Sequence, residues 1–220
     1  MKKLLSVLFI VAAAYNNYSF AHGDEKIKGN GKIVYKERTL SSFEKINSGG
    51  SIDLIIDQNG KESATVETDE NIADLIITEV KDGALNISVK EKYSVSPTKL
   101  IVHVSCKGIK AINSGGSGDI TAKSKLAGEE LAISHGGSGD FNLTLAVKKL
   151  KISTAGSGDY VLKGNADEFS LSAAGSGDVD AHELVCTNAK ITTAGSGDVR
   201  LQKGTTAKVT TTGSGDVSYE

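Results

Sequence analysis

The sequence predicts an all-β chain wound as a parallel β-helix, a β-solenoid, and three observations carry that prediction. The first is composition: 220 residues hold 25 Gly, one Pro and no Trp, and they are rich in Val, Ile, Thr and Ser, the mix of strands and turns rather than helices. The second is a repeat. GSGD occurs at Gly116–Asp119, Gly137–Asp140, Gly156–Asp159, Gly175–Asp178, Gly195–Asp198 and Gly213–Asp216, with intervals of 21, 19, 19, 20 and 18 residues between aspartates. A period near 20 marks units of one coil each. The third is alternation. One and three residues after each Asp stand apolar or small residues, for example Phe141 and Leu143 or Val199 and Leu201. Seven and nine before it stand others, such as Ile152 and Leu150. Both pairs alternate with polar residues, the period-2 mark of a half-buried strand.

Each unit therefore reads strand, tight Gly turn, strand, looser polar turn. The spacing leaves no room for a crossover helix, so strands pass directly to the next coil, about 4.8 Å away and expected to wind right-handed. The turn glycines are Gly116, Gly118, Gly137, Gly139, Gly156, Gly158, Gly175, Gly177, Gly195, Gly197, Gly213 and Gly215. A sharp corner with coils above and below favours residues that accept positive φ and carry no Cβ. Small residues just before the first Gly, such as Gly136 and Ala155, fit the same crowding. Gly158, with coils on both sides, is expected to tolerate valine far less than Gly215 in the last coil. Asp119, Asp140, Asp159, Asp178, Asp198 and Asp216 form one column in register, where neighbouring carboxylates repel by roughly 0.9 kcal/mol in water. Hydrogen bonds to each aspartate's own turn, or cations, must offset that repulsion.

Residues 31–220 read as one domain, with an irregular section 31–111 before regular coils 112–220. INSGGSIDL at Ile46–Leu54 matches INSGGSGDI at Ile112–Ile120, so Asp53 is a seventh, degenerate member with Ile52 in a glycine's place. Between them, SATVETD, ADLIITEV, ALNISVKE and KLIVHVSC alternate, with Asn59-Gly60 and Asp82-Gly83 as turns. This β-rich section is expected to cap one end. Residues 22–30 and the Ser94–Thr98 loop are expected to be mobile. Before them, Lys2 and Lys3, an apolar run Leu4–Ala14 and the small-x-small Ser19-Phe20-Ala21 have the anatomy of a signal peptide cut after Ala21. The run is too short to span a bilayer. An exported chain without a transmembrane segment follows, in the periplasm, on the outer surface or secreted. The formal charge is −2, or −4 without Lys2 and Lys3, and nothing in it attracts nucleic acid. Cys106 and Cys186 fall at nearly the same phase of the repeat four coils apart, roughly 19 Å at the strand spacing, beyond the ~7 Å Cα limit of a disulfide.

Sharper chemistry fares less well. A Gly-rich loop cradles phosphate when it opens a helix, but each GSGD opens a strand and carries a carboxylate. Calcium-holding β-rolls use glycine turns and aspartates, and the aspartate column is the candidate for such an ion. However, the motif occurs once per coil and faces KGNADE, HELVCTNA and QKGTTA, which share no acidic frame. His22, His103, His135 and His182 occupy different phases, and His135 reads as a solvated turn residue. No catalytic set converges, and no cofactor is expected, although a glycan-active β-helix enzyme leaves no local motif. The column Ser134, Ser153, Ser172, Thr192 and Thr210, six before each Asp, is either an outward binding face or a ladder satisfying a solvated sheet.

From VETDENIADLIITEVKDGALNISVKE through LIVHVSCKGIKAINSGGSGDI to the GSGDV units, about residues 33–219, the sequence resembles the head GIN domain family of auto-transporter adhesins, exported proteins of Bacteroidetes-like bacteria. The resemblance implies a β-helix-like fold, an envelope or surface location and adhesion, and it brings no catalytic residues. The repeats run to Tyr219, so the expectation for this chain is the head without a membrane-spanning barrel. The functional expectation is a non-enzymatic binding scaffold for an envelope or extracellular ligand, glycan or protein. The alternatives are a glycan-active enzyme or a calcium-binding structural protein.

Overall fold

The computed structural model describes residues 25–220; the expected signal peptide, and residues 22–24 of the expected mobile N-terminus, lie outside them. In chain order the strands are β1 (Glu25–Lys28), β2 (Ile33–Thr39), β3 (Lys45–Gly50), β4 (Asp53–Asp57), β5 (Ser63–Asp69), β6 (Ile76–Lys81), β7 (Ala84–Val89), β8 (Tyr93–Ser96), β9 (Leu100–Ser105), β10 (Ala111–Gly116), β11 (Ile120–Ala122), β12 (Leu126–Gly137), β13 (Phe141–Gly156), β14 (Tyr160–Gly175), β15 (Val179–Gly195), β16 (Val199–Leu201), β17 (Thr206–Gly213) and β18 (Val217–Tyr219). A 3-10 turn, Ala73–Leu75, interrupts the expected strand ADLIITEV.

From β3 onward the coils stack as a parallel β-helix. Ile46 pairs with Ile112, Ile112 with Ile133, Ile133 with Ile152, Ile152 with Leu171, Leu171 with Ile191, and Ile191 with Val209. The matched INSGGS segments are thus adjacent coils, although 66 residues separate Asp53 from Asp119. Residues 58–110 are inserted between them and fold below the first coil. There β7 and β6 extend the face that carries β3, while β9, β5 and β2 extend the face that carries β4. The β5–β9 and β2–β5 pairings are antiparallel, so the parallel stack ends in a different ladder. Asp82 and Gly83, at φ 51° and 71°, make the two-residue turn between β6 and β7 that their sequence predicts.

One apolar core runs through cap and coils, from Ile72, Leu85 and Val102 to Ile191 and Val199, all nearly inaccessible. It is wider than the sequence pattern indicated. The expected loose turn opposite GSGD is mostly strand, and Leu126, Leu145, Val147, Ala166, Leu184 and Cys186 also point inward. An extra residue in β15 is absorbed where its register with β14 shifts, after Val161, and it leaves Val185 56% exposed. Bulges of this kind hide a repeat's period from simple counting.

Three further expectations change. The segments expected to be mobile meet: β1 lies parallel to β8, and buried Asp69 accepts hydrogen bonds from the N–H groups of Gly31 (2.6 Å) and Thr98 (2.7 Å) and the Thr98 hydroxyl (3.0 Å). Burial opposes ionisation of Asp69, yet those donors hold its carboxyl below its ordinary range. Cys106 and Cys186 are buried, free thiols but do not share a phase. Cys106 follows β9 in the cap and donates its N–H to Asp57 O (3.0 Å), whereas Cys186 is the register partner of Ala166. Counting back from Asp119 crosses the insertion.

His135 is not a solvated turn residue. It is 4% exposed and turned inward, 5.0 Å between ring centroids from Phe141 and 6.4 Å from Tyr160, two rings that stack on each other at 4.7 Å. Neither ring nitrogen makes a well-formed hydrogen bond, nor does the Tyr160 hydroxyl; the Thr154 side chain beside the phenol and the Ser114 backbone beside the imidazole are only weak partners. Its register partners Ser114 and Thr154 are uncharged, burial pushes Tyr160 up to about 12, and Asp140, on its own turn, is the nearby carboxylate. Burial pushes the imidazole below the ordinary histidine range. The unfolded chain therefore takes up a proton that the folded one refuses. Stability from this site is complete above the unfolded pKa of about 6.5 and declines below it by up to about 1.4 kcal/mol per pH unit until the folded pKa is reached. Urea unfolding between pH 7.5 and 5 is expected to show this loss in the native chain and a shallower one in His135→Thr; parallel curves would exclude a buried neutral imidazole.

Candidate functional site: the GSGD corner and its adjoining face

At the corner, the backbone of each coil lies directly on that of the coil before it. A Cβ at Gly116, Gly137, Gly156, Gly175, Gly195 or Gly213 would overlap the carbonyl oxygen of the first glycine one level down, beginning with Gly50. A Cβ at Gly118, Gly139, Gly158, Gly177, Gly197 or Gly215 would overlap the carbonyl oxygen of the second position below, beginning with Ile52. Where φ is positive it belongs to the first glycine, with +138° at Gly116 and +151° at Gly156; Gly158 is glycine for space alone. Each clash is directed toward the preceding coil, so Ile52 is allowed where no such coil lies beneath it. For the same reason Gly215 meets Gly197 as Gly158 meets Gly139, and the expected gentleness of the last coil is not steric.

The aspartates also bond between coils rather than within their own turns. Oδ1 of Asp53 accepts the N–H of Asp119 (3.0 Å), and the ladder continues through Asp140 (2.9 Å), Asp159 (2.9 Å), Asp178 (2.8 Å), Asp198 (2.8 Å) and Asp216 (2.9 Å). Each carboxylate from Asp53 to Asp198 thus receives a donor across the gap where it would otherwise face only the next carboxylate. Among the described residues no three His, Cys, Asp or Glu side chains converge to hold a metal ion.

The face running from the outer corner to GSGD, built on β3, β10, β12, the second halves of β13, β14 and β15, and β17, presents four outward columns. Six before each Asp stand Asn47, Asn113, Ser134, Ser153, Ser172, Thr192 and Thr210; four before stand Gly49, Gly115, Gly136, Ala155, Ala174, Ala194 and Thr212; two before stands Ser throughout. None of these three columns contains a charge or a side chain larger than Asn. Asn113 donates to Asn47 (2.8 Å) and Asn47 to Asn86 (2.9 Å), and Asn47, Asn113, Ser134, Ser153 and Ser172 line a shallow recess of about 560 Å³. The fourth column, eight before Asp, carries lysines. Smallness here is not crowding: a Cβ at Gly115 or Gly136 would meet nothing within 4 Å, contrary to the sequence expectation. The opposite face is charged in the usual way, with Lys163–Glu183 (2.7 Å), Arg200–Asp180 (3.7 Å) and Lys123–Asp57 (3.8 Å).

Other polar clusters are structural. Glu67 accepts from Lys99 (2.5 Å) and Tyr35 (2.9 Å) and pairs with His103 (2.9 Å), and these partners, Lys99 first, hold its carboxyl at about 2 against burial. The cluster ties β2, β5 and the segment of β9 together. His182 pairs with Asp180. Burial pushes the Cys106 thiol up to about 11, far from a nucleophilic thiolate.

The corner makes three expectations testable. Gly158→Val is expected to lower the global melting temperature by the equivalent of about 3 kcal/mol, and Gly215→Val to produce the same clash but release only the last coil, seen as faster hydrogen exchange in residues 206–219. No effect of Gly158→Val would disprove the close approach. Asp178→Ala removes the acceptor of the Asp198 N–H and is expected to cost about 1 kcal/mol, whereas Asp216→Ala, which caps no further N–H, is expected to be silent in the same melts. Calcium or EDTA is expected to leave the native melting temperature in place; a large reversible calcium shift would make the column a cation site.

The chain matches the family model described as "Putative auto-transporter adhesin, head GIN domain" over residues 42–220. Among solved structures it is similar to a putative adhesin from Bacteroides fragilis (22% identity, TM-score 0.79, 88% of this chain and 100% of the other). It is also similar to a putative adhesin from Parabacteroides distasonis (25%, TM-score 0.71, 89% and 100%) and to a putative lipid binding protein from the same species (23%, TM-score 0.71, 89% and 100%). No curated protein matches the sequence. With most of its length covered by that model, and with its coils in the same fold as those structures, the chain belongs to the head GIN domain family of putative auto-transporter adhesins.

Proposed function

We propose that the chain is an exported, non-enzymatic surface-binding scaffold that seats an extended polymer, glycan or protein, on the uncharged face beside the GSGD corner. The observation that supports this reading is the open space at Gly115 and Gly136. The fold leaves room for side chains there, as it does on the charged opposite face, yet seven levels offer only amides, hydroxyls, methyls and hydrogens. A flat surface of that kind admits the backbone or rings of a partner to close contact and pairs their polar groups with hydroxyls. Membership of an adhesin family supports a surface-binding role, and the sequence's signal-peptide pattern supports export. Among the described residues no helix is long and apolar enough to cross a membrane.

The test uses the chain from residue 22 on whole cells and on a glycan array, with Gly136→Tyr against Asn142→Tyr on the opposite face. Both substitutions are exposed and expected to change stability by no more than about 0.5 kcal/mol. Gly136→Tyr is expected to abolish retention and Asn142→Tyr to preserve it. The reverse pattern would move the binding face, and release of reducing ends from a retained glycan would replace the scaffold with an enzyme.

A further inference from the structure

Resting on that reading, we infer that the seated polymer is an acidic polysaccharide, held by a column of lysines along the edge of the face away from the aspartates. Eight residues before each Asp, in register, stand Lys45, Ala111, Ala132, Lys151, Ser170, Lys190 and Lys208. Lys151, Lys190 and Lys208 are exposed, and among the described residues none has a carboxylate oxygen within 4.0 Å. Their neighbours at the outer corner are paired: Lys149 with Glu168 (3.7 Å) and Lys148 with Glu129 (2.8 Å).

Lys190 and Lys208 are register partners on adjacent strands. Like charges placed opposite one another destabilise a sheet, and both of these side chains are exposed. The aspartate column on the far edge has the same problem and an internal remedy, its ladder to the next backbone. The lysine column has none within the chain. An anionic partner supplies the missing counter-charge.

The rest of the face selects the kind of anion. No aromatic side chain stands in the outward columns to stack a base, and no exposed apolar patch there would take acyl chains. Hydroxyls and amides do match sugar hydroxyls. One ring of an extended pyranose chain is close to one coil in length, so a glycan lying along the axis advances about one sugar per level. Lys151 and Lys190 are two levels apart and Lys190 and Lys208 one, which places ammonium groups beside alternate and successive sugars. Glu130 and Glu168 lie just beyond the column, beside a recess of about 380 Å³ that Lys151 and Lys190 also line. They confine the anionic groups to the lysine side and accept from hydroxyls.

The experiment measures binding of the chain from residue 22 to immobilised polygalacturonate, its methyl ester, dextran sulfate, dextran, polyglutamate and DNA, with the triple variant Lys151→Gln, Lys190→Gln, Lys208→Gln and with Gly136→Tyr. The expected result is salt-sensitive binding to polygalacturonate or dextran sulfate, weakened roughly tenfold or more in the triple variant, whose melting temperature is unchanged or raised. Gly136→Tyr is expected to abolish the same binding. Equal binding to the ester or to dextran, stronger binding to polyglutamate or DNA, no binding to either acidic glycan, or an unaffected triple variant would each overturn the acidic-glycan assignment. Binding that needs the lysines but survives Gly136→Tyr would instead overturn the reading of the small-residue face on which it rests.

Discussion

The structure depends on one close approach, that of each coil's corner backbone to the carbonyl oxygens of the coil before it. At this distance a methyl group does not fit, and so the corner is glycine at two positions per level from Gly116 to Gly215. With the corners in contact, the strands on both sides are brought to ladder spacing, the apolar columns close into one core, and the aspartates come within hydrogen-bonding reach of the next level's N–H. The dependence has a direction, because clash and carboxylate bond alike are set by the preceding coil. Ile52 illustrates it: the first level has nothing beneath its corner, and a large side chain there fills the end of the core, 2% exposed.

Much of this architecture could be read from spacing because the interactions that repeat are local to a coil and identical from level to level. The four columns of apolar residues, the kinship of INSGGSIDL with INSGGSGDI, and the demand for glycine are of that kind; that Ile46 stacks directly on Ile112 across the insertion is seen only in the fold. What escaped depends on events that occur once. The fold of residues 58–110 is set by pairings such as Glu67 with Tyr35 and Thr65 with His103, which no period announces. The inward turn of Leu145 and Val147 was masked by the polar residues that follow at the outer corner, and the insertion takes Cys106 out of the phase that Cys186 shares with Ala166. His135 looked solvated because Ser and Thr occupy its column; in a strand, facing is decided by parity rather than by polarity, and parity placed it beside Phe141. The candidate face was half legible. Its hydroxyl column stands out in the sequence, but only the structure separates glycines with no room for a Cβ from Gly115 and Gly136, which have it.

The two faces of the solenoid share a backbone and differ in chemistry. One is laced with ion pairs of the sort that surface strands accumulate without functional need, each contributing little. The other has its charges moved to the margins, carboxylates at the GSGD corner and ammonium groups toward the outer one. Because both margins run parallel to the axis, the carboxylate edge is the same at every level while the ammonium edge recurs at Lys45, Lys151, Lys190 and Lys208, and a polymer lying along the axis meets the same polarity across the face wherever a lysine stands. Affinity then grows with the number of levels engaged rather than with the quality of any single contact, as in multivalent association.

The insertion between the first coil and the second shows how such a chain accommodates change. It leaves at Asp57 and returns before Ala111, on the side remote from the glycine corner, and the coils on either side of it still meet in perfect register, with Asp53 holding the N–H of Asp119. The outer corner is therefore a port at which a whole folded module can be spliced without disturbing the stack. At the glycine corner, by contrast, even one added methyl would collide. Lengthening the rod, decorating its back and preserving its working surface are thus separable operations on the sequence, and an engineer seeking a rigid display arm would graft at the outer corner, for example at Glu129 or Lys148.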